Sequence, residues 1–310
     1  MNQVRESLEK AVEFVLTNRN EDGMWYNFLT RHHGESADWV SSFAGLNLLE
    51  AGVSKSELGK TAKSILERQR SNGGFSYNHK IVPDADSTAF AIRFLKNFGY
   101  EQEVSNAIGF LRKHQNKDGG FGTYTEEAIR QYYRIPKEML VEGWCASTPD
   151  ITASALLVDP HDNAIKYLLD TQEEGGKWRS YWWNSDVYSV VHCIEALEKM
   201  GFDEEVSRAK KWLVKDENVP DVAFYLALSI NALNQDNKYR ELLNRRILRL
   251  IELQRKDGSW NTFPILQFPM PSDKEPWKNL ERWREDAKDQ NRIFTTSACA
   301  KALSKFERNL

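Results

Sequence analysis

The sequence predicts an all-α protein, an (α/α)6 barrel in which six helical hairpins form an inner and an outer ring of helices. Three observations lead to this fold. A short element of the form Gln-x-x-x-Gly-x-Trp or Phe recurs at near-regular intervals along the 310 residues. An amphipathic helix precedes each copy, and a second, more apolar helix follows it. We expect residues 1–310 to form a single α/α barrel domain.

The recurring element has five copies and marks where each hairpin turns. The copies begin at Arg19, Gln69, Gln115, Gln172 and Gln254. The last interval is about two periods, so a sixth copy has lost its signature after Lys215. A glutamine at a helix end can bond to the backbone of a neighbouring helix, the glycine ends the helix, and the ring packs beneath the turn. These residues therefore have a predicted structural role.

The helices between the copies are of two kinds. Amphipathic helices, with a polar face, are predicted over Val4–Leu16, Leu58–Arg68, Glu103–Lys113, Glu204–Val214 and Leu242–Leu253. Helices that are apolar nearly all round are predicted over Asp38–Leu49, Asp86–Phe98, Asp150–Leu157, Asp186–Leu197, Asp221–Leu233 and Phe294–Leu303. In two concentric rings, the apolar helices are buried inside and the amphipathic helices lie outside with their polar faces in solvent. An open solenoid would expose the apolar helices at one edge.

Composition and charge narrow the functional classes. The formal net charge of −3 argues against nucleic acid as the main partner. Ten tryptophans point to packing, to sugar binding or to an apolar ligand cavity. Cys145, Cys193 and Cys299 lie far apart and are expected to be reduced thiols. The polar N-terminal segment and the lack of a long apolar run predict a soluble cytoplasmic protein. Peripheral contact with a membrane is compatible with this prediction.

The segment Val82–Leu95 carries the strongest chemical signal. Asp84 and Asp86 stand at the start of a helix whose other residues are small or apolar. An uncompensated charge at the mouth of a buried helix costs several kcal/mol. Other predicted inner helices also begin with an aspartate, namely Asp38, Asp150, Asp186 and Asp221. Because aspartate is a favoured N-cap, capping and acid chemistry both remain open on the residues alone.

Two motifs resemble those of a known family. The repeated Gln-x-x-x-Gly-x-Trp element resembles the QW motif of squalene–hopene and oxidosqualene cyclases, the class II terpene cyclases. Asp84-Ala85-Asp86-Ser87-Thr88-Ala89 is similar to the acid motif D-x-D-D-T-A of that family. Triterpene cyclases carry two barrels, so the chain resembles the single-barrel kind, which includes bacterial meroterpenoid cyclases. Ser87 departs from the motif, since the family has a third acidic residue there.

The resemblance implies a function and a set of roles. Asp86 would be the proton donor and Asp84 its acidic partner, with Ser87 and Thr88 supporting the acid. The substrate would be a linear polyprenyl chain, either free, as a diphosphate or attached to an aromatic head group. No cofactor is implied, apart from Mg²⁺ if the substrate carries a diphosphate. The chemistry is consistent with the residues: burial and a neighbouring carboxylate keep an acid protonated, and a helix N-terminus stabilises the anion left after proton transfer.

A carbocation requires a dry cavity with electron-rich walls. Aromatic residues near the predicted site end of the barrel are Trp39, Trp144, Trp182, Trp183, Tyr188, Tyr225 and Phe294. Arg31, His32 and Arg134 are candidates for binding an acidic head group. The proline-braced apolar segment 263–271 is predicted to form a lid or rim over the cavity.

Alternative functions remain at this stage. Protein prenyltransferases share the barrel and bind zinc, but the adjacent His192 and Cys193 point apart on one helix, so no metal site is predicted. A sugar-active enzyme, either a glycoside hydrolase or a lyase, would have a wide groove open to water. A non-catalytic binding protein would not depend on Asp86.

Overall fold

The computed structural model describes residues 2–31, 33–278 and 285–309, and within them the predicted α/α barrel is confirmed. The outer helices are α1 (Asn2–Thr17), α3 (Lys55–Leu66), α5 (Glu101–Leu111), α9 (Asp162–Thr171), α11 (Asp203–Leu213) and α13 (Arg240–Glu252). The inner helices are α2 (Asp38–Glu50), α4 (Ala85–Leu95), α8 (Pro149–Leu156), α10 (Val187–Met200), α12 (Ala223–Leu233) and α14 (Ile293–Arg308). Two further helices, α6 (Glu126–Tyr133) and α7 (Glu142–Cys145), lie in the connection between α5 and α8. Short 3-10 helices cover Lys96–Phe98, Arg112–His114, Asp216–Asn218, Asn237–Tyr239 and Pro276–Lys278.

The inner ring is closed and buried. Each inner helix packs against the next one in the chain, and α14 returns to pack against α2. Helix α2 buries ten of its thirteen residues, whereas the outer helix α5 buries four of eleven. This difference is the one that the apolar and amphipathic patterns predicted, because only helices surrounded on all sides can be apolar all round.

The repeated element connects neighbouring outer helices, in agreement with its predicted structural role. The side-chain amide of Gln69 donates to the carbonyl of Gly73 (2.9 Å) and to that of Glu103 at the start of α5 (2.8 Å). Gln254 makes the same bonds to Gly258 and to Ser7 of α1 (2.9 Å each), so this element also closes the barrel. Gly73 has φ +89°, and a Cβ there would lie 2.4 Å from the carbonyl oxygen of Asn106.

Three antiparallel two-stranded sheets, which the sequence analysis did not anticipate, lie at the end of the barrel where the inner helices begin. They pair β1 (Asn27–Thr30) with β2 (Gly34–Ser36), β3 (Phe121–Gly122) with β4 (Ser147–Thr148), and β5 (Pro264–Phe268) with β6 (Glu285–Lys288). The second strand of each pair leads into an inner helix, so the hairpins surround the N-termini of that ring. Over the described residues, no helix combines the length and apolar character needed to cross a bilayer.

Candidate active site

A cavity of about 450 Å³, including its mouth, lies at the N-terminal end of the inner helices. Its walls come from four inner helices or the turns before them, from the residues after β3, and from β5. The lining residues are Trp39, Tyr77, Asp84, Asp86, Ser87, Thr123, Tyr124, Ile151, Trp182, Trp183, Leu266 and Phe268. Most of this surface is aromatic or aliphatic, and two carboxyl groups interrupt it.

The two carboxyl groups are held differently. Asp84 is the N-cap of α4 and is 4% exposed; one of its carboxylate oxygens accepts from the backbone N–H of Ser87 and the other from the Ser87 hydroxyl, both at 2.7 Å. Asp86 is the second residue of the helix, and it is exposed in part because its side chain faces the cavity. Asp84 is therefore engaged in capping, while Asp86 faces the space where a ligand would bind.

The pKa values of both acids are raised above the usual range of an aspartate. Burial raises the pKa of Asp86 well above its usual value, and the charges of Asp150 and Asp84 raise it further. The nearby indole N–H of Trp39 and the guanidinium of Arg93 oppose this shift. Burial also raises the pKa of Asp84 to about 7, against the stabilising hydrogen bonds from Ser87. A carboxyl group that is protonated at pH 7 and faces an apolar cavity can act as a general acid.

The cavity wall is a continuous set of aromatic rings. Trp39, Trp182 and Trp183 line it as predicted. Tyr188 stacks behind Trp183 with ring centroids 3.6 Å apart, and Phe294 lies behind Trp39 at 4.8 Å. The predicted aromatics Tyr188 and Phe294 therefore form a second layer that supports the lining rings.

A smaller chamber of about 270 Å³, which we call the outer chamber, adjoins the cavity; the two share Tyr77, Tyr124, Trp182 and Phe268. The predicted residue Trp144 lines this chamber, and its indole N–H donates to the carbonyl of Pro269 (2.9 Å). His33 also lines it, with its Nδ1 atom 3.0 Å from the hydroxyl of Tyr133.

Other predicted site residues lie elsewhere. Tyr225 does not line the cavity; it is buried behind β5, with its hydroxyl 3.4 Å from the carbonyl oxygen of Ile265. Thr88 is fully buried and its hydroxyl accepts from the backbone N–H of Phe75 (2.9 Å), so it anchors the preceding turn rather than facing the cavity. Arg31 and Arg134 are exposed. Arg31 precedes His33 by two residues and Arg134 directly follows Tyr133, so both are near the outer chamber. His32 lies outside the described residues.

Sequence reasoning missed four lining residues, Tyr77, Thr123, Tyr124 and Ile151, and named Leu266 and Phe268 only as part of the predicted rim segment. A positional signal existed for three of them. Phe75 and Phe121 are the aromatic residues of two copies of the repeated element. Tyr77 follows Phe75 by two residues, and Thr123 and Tyr124 follow Phe121 by two and three. The chain leaving each element thus turns toward the barrel mouth. Leu266 and Phe268 belong to the segment 263–271, which contacts the cavity as a lid would.

The histidines and acids of the described ranges form no group of three or more His, Cys, Asp or Glu that could hold a metal ion. The site therefore consists of one acid that faces the cavity, a second acid that caps its helix, and a closed aromatic wall. This arrangement is suited to chemistry that begins with protonation of an apolar ligand.

Two family models match the chain. The squalene-hopene cyclase C-terminal domain matches residues 73–223, and the prenyltransferase α/α toroid domain matches residues 2–129. Among the curated relatives, squalene-tetrahymanol cyclase of Tetrahymena thermophila is 23% identical over 58% of this chain and 30% of its own length. Drimenyl diphosphate synthase of Streptomyces showdoensis is 23% identical over 68% of this chain and 42% of its own. The chain thus spans well under half the length of these two relatives.

A solved structure matches the whole barrel. The type II terpene cyclase MstE from Scytonema superposes with a TM-score of 0.89 and 25% identity, covering 100% of both chains. MstE has also been solved with geranylgeranyl dihydroxybenzoate as substrate and with merosterolic acid A as product. An unsaturated glucuronyl hydrolase specific for heparin matches with a TM-score of 0.56 and 11% identity, which shows a common fold only. The chain is thus similar to class II terpene cyclases, and its match to MstE extends over the whole barrel.

Proposed function

We propose that this chain cyclises a linear polyprenyl substrate by protonation. Asp86 transfers its proton to the terminal double bond, or to an epoxide of it, and the resulting cation is attacked by the next double bond in the chain. The observation that carries the proposal is that Asp86 combines a raised pKa with a side chain aimed into an apolar, aromatic cavity. Loss of a proton or capture of water ends the cascade.

The cavity supplies what the cation needs after it forms. The faces of Trp39, Trp182 and Trp183 attract a cation by about 1–2 kcal/mol or more when water is absent. Leu266 and Phe268 of β5 add apolar surface to the cavity wall, and an apolar wall disfavours the water that would quench the cation early. The N-terminus of α4 stabilises the carboxylate that remains on Asp86.

We propose further that the substrate carries a head group that occupies the outer chamber. His33 lines that chamber but not the inner cavity, and Tyr77 and Tyr124 lie where the two meet, so polar groups are available to a head group there. MstE was solved with a geranylgeranyl chain on dihydroxybenzoate, so an aromatic acid is a suitable first candidate. Arg31, Arg134 and His32 remain the proposed contacts of an acidic head group. No cofactor is needed for the protonation step, and Mg²⁺ would enter only with a diphosphate substrate.

The location of the protein also remains a proposal. We expect one barrel domain over residues 1–310, in the cytoplasm, with a face that touches a membrane to collect its apolar substrate. Large apolar side chains are exposed on the hairpins and loops at the site end, namely Leu29, Met139, Leu140, Phe263 and Met270. An apolar rim of this kind at the mouth of a lipid-binding cavity is typical of peripheral membrane contact.

The test is incubation with farnesyl, geranylgeranyl and prenylated aromatic-acid substrates, comparing wild type with Asp86→Asn by mass spectrometry. The asparagine keeps the shape of the side chain but has no acidic proton, so cyclic isomers should form only with the wild type. Equal cyclisation by both proteins would remove Asp86 from the mechanism. A folded wild type that binds these substrates without converting them would favour a binding protein, and turnover of an unsaturated oligosaccharide would favour the sugar-active alternative.

A further inference from the structure

The last four residues of the acid motif occur twice in this chain, on neighbouring inner helices. Asp86-Ser87-Thr88-Ala89 on α4 corresponds to Asp150-Ile151-Thr152-Ala153 on α8. The two threonines make the same bonds. Thr88 accepts from the N–H of Phe75 (2.9 Å), and Thr152 accepts from the N–H of Phe121 (2.8 Å). Asp150 is therefore the structural counterpart of Asp86 in the next repeat, as the second residue of its helix.

Asp150 is not the N-cap residue of its helix. The N-cap position of α8 belongs to Thr148, and the side chain of Asp150 is 1% exposed. Neither of its carboxylate oxygens has a hydrogen-bond partner among the residues that the structure describes. Burial raises its pKa to about 6. The hydroxyl of Thr148, the backbone N–H groups of Asp150 and Ile151, and the hydroxyl of Ser189 oppose this shift by smaller amounts. A buried carboxyl group without a well-formed hydrogen bond costs stability.

Asp150 lies close to Asp86. Helices α4 and α8 pack side by side, and Ile151 lines the same cavity as Asp86. The backbone N–H of Ala85 also donates to the carbonyl of Thr123, which directly follows β3 (3.0 Å). After burial, the charge of Asp150 has the largest influence on the pKa of Asp86 and exceeds that of Asp84.

Other ionisable groups face the same region. Around the two acids these are Asp84, Arg93, Tyr124, Tyr167, Tyr188, Cys193 and Glu195. Burial raises the pKa of the tyrosines and of the cysteine, so they stay neutral at pH 7. Arg93 forms an ion pair with Glu195. Within this group, Asp84 and Asp150 are the residues whose charge changes near neutral pH.

We propose that Asp150 and Asp86 form a carboxyl pair in which Asp150 is a positioning residue that keeps the proton on Asp86 between turnovers. The proposal rests on the function proposed for Asp86. With Asp150 ionised, a second negative charge beside it is disfavoured, so Asp86 holds its proton. When Asp86 gives that proton to the double bond, two neighbouring carboxylates remain. Their repulsion favours the return of one proton from water to Asp86, which restores the starting state.

The test follows the ionisation of Asp86 directly and needs no substrate. The carbonyl stretch of protonated Asp86 is recorded by infrared difference spectroscopy against pH, with Asp86→Asn in the same background as the reference. Asp150→Asn should move the midpoint to lower pH by about one unit, and Asp150→Glu should restore it. Asp289→Asn is the matched control. Asp289 is also a buried acid before an inner helix, but its carboxylate accepts from the backbone N–H of Thr295 (2.6 Å). It is not among the groups that shift the pKa of Asp86.

An unmoved midpoint in folded Asp150→Asn, or an equal shift in Asp289→Asn, overturns the proposal. Asp150→Thr serves if the asparagine variant does not fold, since Thr also removes the charge. In an enzyme active on a prenylated substrate, the fall of kcat at alkaline pH should move in parallel with the infrared midpoint. If no substrate is converted, the proposed function fails, while the infrared titration still decides whether the pair exists.

Discussion

Ser87 donates hydrogen bonds to both carboxylate oxygens of Asp84, through its backbone N–H and its hydroxyl, each at 2.7 Å. The acid motif of the family has a third acidic residue at position 87. The hydroxyl of Ser87 donates a hydrogen bond that stabilises the charged form of Asp84, whereas an ionised acid at that position would repel it. The departure noted in the sequence thus changes how the cap is held, and Asp86 remains the acid that faces the cavity.

Replacing Ser87 by alanine tests this relationship. Ser87→Ala removes one of the two bonds and should lower the free energy of unfolding by about 1 kcal/mol. The pKa of Asp84, already raised to about 7, should rise further, because a donor to its charged form is lost. Urea unfolding measures the first effect. Ser105→Ala, at an exposed position on α5, should cause no loss of stability, and an equal loss there would contradict the argument.

The aromatic wall predicts an effect on the products. Trp183 lines the cavity and stacks on Tyr188, so Trp183→Leu should weaken stabilisation of the cation by about 1–2 kcal/mol. We expect a roughly tenfold lower cyclisation rate and a larger share of partly cyclised products by mass spectrometry. Tyr225→Phe is the control, because Tyr225 is buried outside the lining. A changed product pattern in the control, with none in Trp183→Leu, would refute the assignment of the wall.

The barrel could be predicted from the sequence because each of its signals is local. Helical periodicity, the glycine at each turn and the glutamine at each helix end all act within one repeat and its neighbour. The cavity could be predicted only in part, because its outer wall depends on distant pairings. Phe121 pairs with Thr148, and Trp183 pairs with Leu266 in β5. The second D-x-T-A segment is visible in the sequence. That the Asp150 carboxylate is buried without a well-formed hydrogen bond is evident only in the folded structure.

Two buried histidines predict how stability depends on pH. Burial lowers the pKa of His114 and of His192 to about 4, while the unfolded chain titrates near 6.5. Between these values the unfolded state binds more protons, so these residues should cost stability as the pH falls from about 6.5 to 4. The expected loss is on the order of 3 kcal/mol for each residue.

The measurement is urea unfolding at a series of pH values from 7 down to 4, with His114→Gln compared with wild type. The variant should lose less stability over this range, since glutamine does not titrate. His79→Gln is the comparison variant. The pKa of the exposed His79 is also lowered, by slight burial and nearby positive charges, but less than that of His114, so its removal should change the pH slope less. Parallel slopes for wild type and His114→Gln would show that His114 is not held neutral in the folded state.

The apolar rim at the site end predicts binding to lipid vesicles. Leu140 lies in the loop after α6, which also carries the exposed Met139, whereas Leu248 lies on the outer helix α13; both leucines are 55% exposed. A membrane docked at the cavity mouth would cover Leu140 but not Leu248. Leu140→Ser should therefore weaken binding to phosphatidylcholine–phosphatidylglycerol vesicles roughly tenfold. Leu248→Ser should bind as tightly as wild type in the same sedimentation assay. Equal weakening of both variants would indicate non-specific adsorption, and wild type that stays in the supernatant would mean that the rim does not meet a bilayer.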